Sequence, residues 1–124
     1  MELDLIVLRL LHIVAGVFWV SSAWFFFLFV EPTAAELGPE SERFMNGMMV
    51  RRKAPIFITI ASVTTVLAGL ALYWRASAGL TAAWITSGPG IGFTVGAVAA
   101  IVAFVAGLAI IKPTVAASAH LARR

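Results

Sequence analysis

A chain of 124 residues has room for one domain, and this one is 61% hydrophobic and only 12% charged, more apolar surface than a soluble fold of that size can hide. It has no cysteine, which excludes a disulfide framework and a thiolate metal site. In so apolar a chain the formal charge of +3 reads as cytoplasmic anchoring of a membrane protein and not as a nucleic-acid surface.

The first element runs from Leu5 to Val30, LIVLRLLHIVAGVFWVSSAWFFFLFV. As a helix it rises ~39 Å, more than the ~30 Å of a bilayer's hydrocarbon core, so it predicts a membrane span. The residues before it, MELD, are acidic. A secretory signal begins with positive charge and closes on small residues, so the stretch reads as a retained helix. Glu31-Pro32 predicts a break, because the residue before a proline is pushed away from helical geometry.

Residues 31–54 are the most polar part of the chain. Within them, residues 39–53 predict a short amphipathic surface helix. Pro39 and the acids Glu40 and Glu42 suit a first turn. Phe44, Met45, Met48 and Met49 form its apolar side, and Arg51, Arg52 and Lys53 its basic end. Glu31, Glu36, Glu40 and Glu42 are expected to pair at the surface with Arg43, Arg51, Arg52 and Lys53.

A second span is predicted over 55–74, with Pro55 in its first turn and Tyr73-Trp74 at the interface. Residues 76–89 are too short to cross and carry an apolar piece, LTAAWI. A third span is predicted over 91–111. The tail, 112–124, starts at Lys112-Pro113 and can continue as a helix after a proline kink. The predicted fold is therefore all-α: a single transmembrane domain, 1–124, forming a three-helix bundle with one surface helix.

Three spans put the termini on opposite sides. Arg43, Arg51, Arg52, Lys53, Lys112, Arg123 and Arg124 fall on one side; Arg75, and Arg9 by snorkelling, fall on the other. That bias places the N-terminus outside and the C-terminus in the cytoplasm.

Helices in lipid meet through small residues and a few polar contacts. The third span carries Gly92, Gly96, Ala99, Ala100, Ala103 and Gly107 in one row, the second Ala61, Thr65 and Gly69, and the first Ala15, Gly16 and Ala23. These rows read as packing within the chain or as an interface to another subunit. Three short spans bury little between them, so a homo-oligomer or a larger membrane complex is expected.

His12 lies ~10 Å into the first helix, and an ionisable group at that depth is a functional candidate. Arg9 precedes it by three residues, Gly16 follows by four and Trp19 by seven. A glycine one turn from a histidine lets a flat ligand such as a porphyrin lie against the backbone. Arg9 can pair with a propionate, and histidine is an axial ligand of haem iron. The other reading is a neutral histidine hydrogen-bonded to Ser62, Thr64 or Thr65 of the second span. His120 falls on the opposite side and reads as an ordinary tail residue. Met45, Met48 and Met49 offer soft thioether sulfur suited to Cu(I), yet the same spacing describes the apolar face of a helix. Ser21 and Ser22 can bond back to a carbonyl of their own helix. No nucleophile with a base, phosphate loop or carboxylate pair is present, so no soluble-enzyme chemistry is indicated.

The stretch LRLLHIVAGVFWVSSAWFFFLFVEP resembles the first helix of small bacterial membrane proteins related to the copper-resistance D protein. It is also similar to HemJ-type protoporphyrinogen oxidases and to an uncharacterised membrane family allied to them. The shared features are Leu11-His12, Trp19, Ser21-Ser22 and the closing Pro32, then Thr65 and Gly69 ahead of Leu70-Ala71-Leu72, and Gly92 through Pro113. The resemblance implies a haem- or copper-linked membrane role, with His12 as the ligand. Two features depart from it. The lysine that HemJ-type enzymes carry early in the third helix is absent, with Gly90, Ile91 and Gly92 there. The family's fourth span is also missing, which implies a shortened member or a helix supplied by a partner.

Overall fold

In the computed structural model the backbone is described for residues 2–121 and side chains up to residue 110. The fold is all-α, with three helical stretches long and apolar enough to cross a membrane. The chain divides into two compact units, one ending at Ala68 and one beginning at Gly69.

In the first unit, α1 (Glu2–Phe25) passes into a π-helical turn (Phe26–Val30) and then α2 (Glu31–Leu37). The expected break at Glu31-Pro32 is a widening instead. Pro32 has no N–H, and its ring crowds the carbonyl four residues back. The wide turn absorbs this: the Glu31 N–H donates to Phe26 O, five residues back, and the helix continues. It ends at Gly38, whose φ of +56° is glycine territory and which precedes Pro39.

A 3-10 turn (Gly38–Ser41) follows, in which the Ser41 hydroxyl donates to Gly38 O at 2.7 Å. Then come α3 (Glu42–Asn46) and a second π turn (Gly47–Arg51), closed by Arg52 N–H on Gly47 O at 2.9 Å. The connector is thus helical in short pieces. Met45, Met48 and Met49 are half-buried, while Phe44 stays exposed. The surface pairing expected of Glu31, Glu36, Glu40 and Glu42 with Arg43, Arg51, Arg52 and Lys53 does not occur among the described residues. Exposed pairs gain too little to hold long side chains in place. Lys53, at φ +55°, turns the chain into α4 (Ala54–Ala76), with Pro55 in its first turn.

The second unit begins within α4. Its C-terminal end is tied by Ser77, which is fully buried. The Ser77 hydroxyl donates to Trp74 O and accepts from Leu80 N–H, and the Thr81 hydroxyl donates to Ser77 O. Ala78, Gly79 and Leu80 all have positive φ (+50°, +77° and +69°). That reversal lets a short α5 (Ala82–Ile85) carry Trp84 back onto Tyr73, edge to face at 5.3 Å between ring centroids. Trp84 also stacks on Phe93 at 6.1 Å. Ser87 starts α6 (Gly88–Leu121) by accepting from Gly90 N–H, with Pro89 in the first turn. The backbone of α6 continues as helix past Lys112-Pro113, so the third span and the tail after it share one helix, a continuation the tail sequence allowed. The side chain of His120, together with Arg123 and Arg124, lies outside the described residues.

Candidate functional site at the crossing of His12 and Thr65

The partly covered residues of the first span recur on one helical face: Leu5, Leu8, His12, Ala15, Gly16, Trp19 and Ser22. His12, Gly16 and Trp19 therefore share a face, and Arg9 stands off it, exposed. On α4 the most buried positions are Ser62, Thr65 and Ala68, spaced by three, so a face of small side chains admits a close neighbour.

At Thr65 the two helices meet through their backbones. His12 Nδ1 lies 2.7 Å from the Thr65 carbonyl oxygen. A carbonyl only accepts, so Nδ1 carries the hydrogen and donates. In return the Thr65 hydroxyl donates to the His12 carbonyl at 2.7 Å. Its single hydrogen is thereby used, so Oγ1, 3.3 Å from Nδ1, can act toward the ring only as an acceptor. Each residue thus donates to the other's main chain. Such interhelical bonds contribute about 0.6 kcal/mol each, up to about 1.7. Ser62 and Thr59 of α4 instead bond back to their own helix. Ser62 donates to Thr59 O and Thr59 to Pro55 O, each at 2.7 Å. Ser22 likewise donates to Phe18 O at 2.6 Å.

Gly16 makes the approach possible. A Cβ there would sit 2.9 Å from Thr65 Oγ1, closer than real Cβ contacts come. The bare backbone that suggested room for a porphyrin is therefore covered by Thr65. The imidazole retains one chemically open position. With Nδ1–H fixed on a carbonyl, the neutral ring keeps its lone pair on Nε2, which bonds to no described residue. This is the tautomer and support that a metal-ligating histidine has. No group of three or more His, Asp or Glu side chains that could hold a metal ion exists among the described residues. The residues around His12 thus fit haem in one respect, an axial nitrogen, and not in another, a cradle at Gly16.

The second unit holds a polar contact that sequence reasoning missed. Thr94 donates to Gly90 O at 2.7 Å, so the Tyr73 hydroxyl, 2.6 Å away, is the donor to Thr94 Oγ1. Gly90 is required here because a Cβ would fall 1.9 Å from Trp84 O. The available signal was a threonine four residues after a glycine at a helix start, opposite the only tyrosine in the chain.

Fold and site together define a small, all-helical, multi-pass integral membrane protein whose first and second spans are joined by a histidine–threonine exchange. No family model, curated protein or solved structure matches the chain.

Proposed function

We propose that the chain is an accessory subunit of a larger membrane complex, in which His12 serves helix packing and not ligation. The observation that carries this reading is the reciprocal His12–Thr65 exchange over Gly16. It uses the ionisable group of the first span, its main-chain carbonyl and the neighbouring glycine in a single contact. The third span supports a lateral partner. Cβ positions at Gly92, Gly96 and Gly107 would meet nothing within 4 Å, room that a close-packing helix uses. The distribution of Lys and Arg supports an N-terminus outside, and the resemblance to small bacterial membrane proteins supports a bacterial inner-membrane setting.

A second reading, haem b ligation in a redox-associated protein, is favoured by the open Nε2 and by the resemblance to the haem- and copper-linked families. In that case His12 would hold the iron, Thr65 would orient the ring, Arg9 would face a propionate and Trp19 would flank the ring plane. Haem would supply one-electron chemistry when bound. Copper handling through His12 and the half-buried methionines is the weaker form of this reading, since no described contact brings them together.

An absorption spectrum of the protein purified in mild detergent, oxidised and then dithionite-reduced, separates the readings. The accessory reading expects no Soret band from a folded sample, together with a copurifying membrane chain. A Soret band with sharp reduced α and β bands, lost in His12→Ala, would overturn it in favour of haem.

A further inference from the structure

The connector between the first and second spans carries a groove of 610 Å³ lined by Arg43, Phe44, Gly47, Met48, Arg51 and Arg52. Three lining side chains are guanidinium groups and none is acidic. The nearest acids in sequence, Glu40 and Glu42, form no ion pair with them among the described residues. The floor is open at Gly47, where a Cβ would meet nothing within 4 Å. Arg52 lies two residues before Ala54, the first residue of α4. The groove therefore sits where a span enters the bilayer, at the level of lipid headgroups.

Planar guanidinium forks match phosphate oxygens, and three exposed guanidinium groups with no carboxylate partner leave their positive charge available to an anion. Phe44 and Met48 add apolar surface at the same place, which a free inorganic anion does not need and a lipid does. From this charge complementarity and position we infer that the groove holds the phosphate of an anionic membrane phospholipid, with Phe44 and Met48 against its glycerol and upper acyl chain. The site is independent of His12 and stands whether the chain is an accessory subunit or a haem protein.

Native mass spectrometry of the full chain released from detergent tests this directly. Phosphatidylglycerol and phosphatidylcholine of identical acyl composition are supplied in equal amounts, with and without excess inorganic phosphate. The expected result is one retained phosphatidylglycerol, preferred over phosphatidylcholine and not displaced by free phosphate. Arg43→Gln, Arg51→Gln and Arg52→Gln should each lower retention about fivefold, the effect of one basic residue at a membrane surface. Lys53→Gln removes the same charge outside the groove and should leave retention unchanged. Gly47→Leu fills the floor without altering charge and should lower it. Equal retention of the two lipids by the unaltered protein would overturn the proposal, and that readout needs no variant to fold. Displacement by inorganic phosphate would also overturn it, as would a loss in Lys53→Gln matching that of the arginine variants.

Discussion

His12 and Thr65 each donate a hydrogen bond to the other's backbone carbonyl, both at 2.7 Å. The exchange needs both side chains at one level of two helices and a glycine at position 16 to let them close. Replacing His12 by Ala removes one of the two bonds and should cost about 0.6 kcal/mol, and at most about 1.7. Reversible unfolding in mixed micelles measures the loss, and far-UV circular dichroism should show unchanged helix content.

Gly90 leaves no room for a side chain. A Cβ there would lie 1.9 Å from the Trp84 carbonyl oxygen and 2.8 Å from its carbon, both backbone atoms. Neither can rotate aside, so Gly90→Ala should exceed the usual overpacking cost of about 1–3 kcal/mol. The intrinsic fluorescence of Trp84 should shift as its contacts with Tyr73 and Phe93 open. Gly47→Ala, with nothing within 4 Å, should leave stability nearly unchanged.

Tyr73→Phe keeps the ring against Trp84 and removes only the hydroxyl that donates to Thr94. Thr94 retains its own bond to Gly90 O, so no buried donor is orphaned. The expected cost is about 0.5–1.5 kcal/mol, read from thermal unfolding in detergent.

Gly38 needs its φ of +56° for conformational reasons alone, because a Cβ there would meet nothing within 4 Å. Gly38→Ala should therefore cost about 1–3 kcal/mol, because φ +56° with ψ −130° is backbone that a residue with a Cβ adopts only under strain. Limited proteolysis near 38–41 should quicken.

The spans were legible because twenty or more apolar residues in lipid have little choice but helix. Pro55, Tyr73 and Trp74 marked ends that the structure keeps within two residues of α4's own limits. The behaviour at Pro32 was not legible, since a proline clash can end a helix or widen a turn. Which one occurs depends on the preceding carbonyls and not on residue type. His12 was singled out by its depth, by Arg9, Gly16 and Trp19 around it and by the resemblance, and Thr65 stood among its three possible partners. What covers Gly16 was hidden, because helix rotation decides which side chain faces a bare backbone, and the small-residue rows admit several rotations. The surface ion pairs were inferred from proximity in sequence, and Gly38 breaks the helix between Glu36 and Arg43.

The most direct test of the account is a double-mutant cycle on Gly16→Ala and Thr65→Ala, followed by reversible unfolding of the full chain in mixed micelles. Gly16→Ala alone should cost about 1–3 kcal/mol, because the new Cβ meets Thr65 Oγ1. Thr65→Ala alone should cost about 0.6–1.7 kcal/mol for the bond to His12 O. Together they should cost less than the sum by at least about 0.5 kcal/mol, since removing Oγ1 relieves the clash. Additive losses would mean that Gly16 and Thr65 do not touch, and would contradict the crossing on which the packing role of His12 rests.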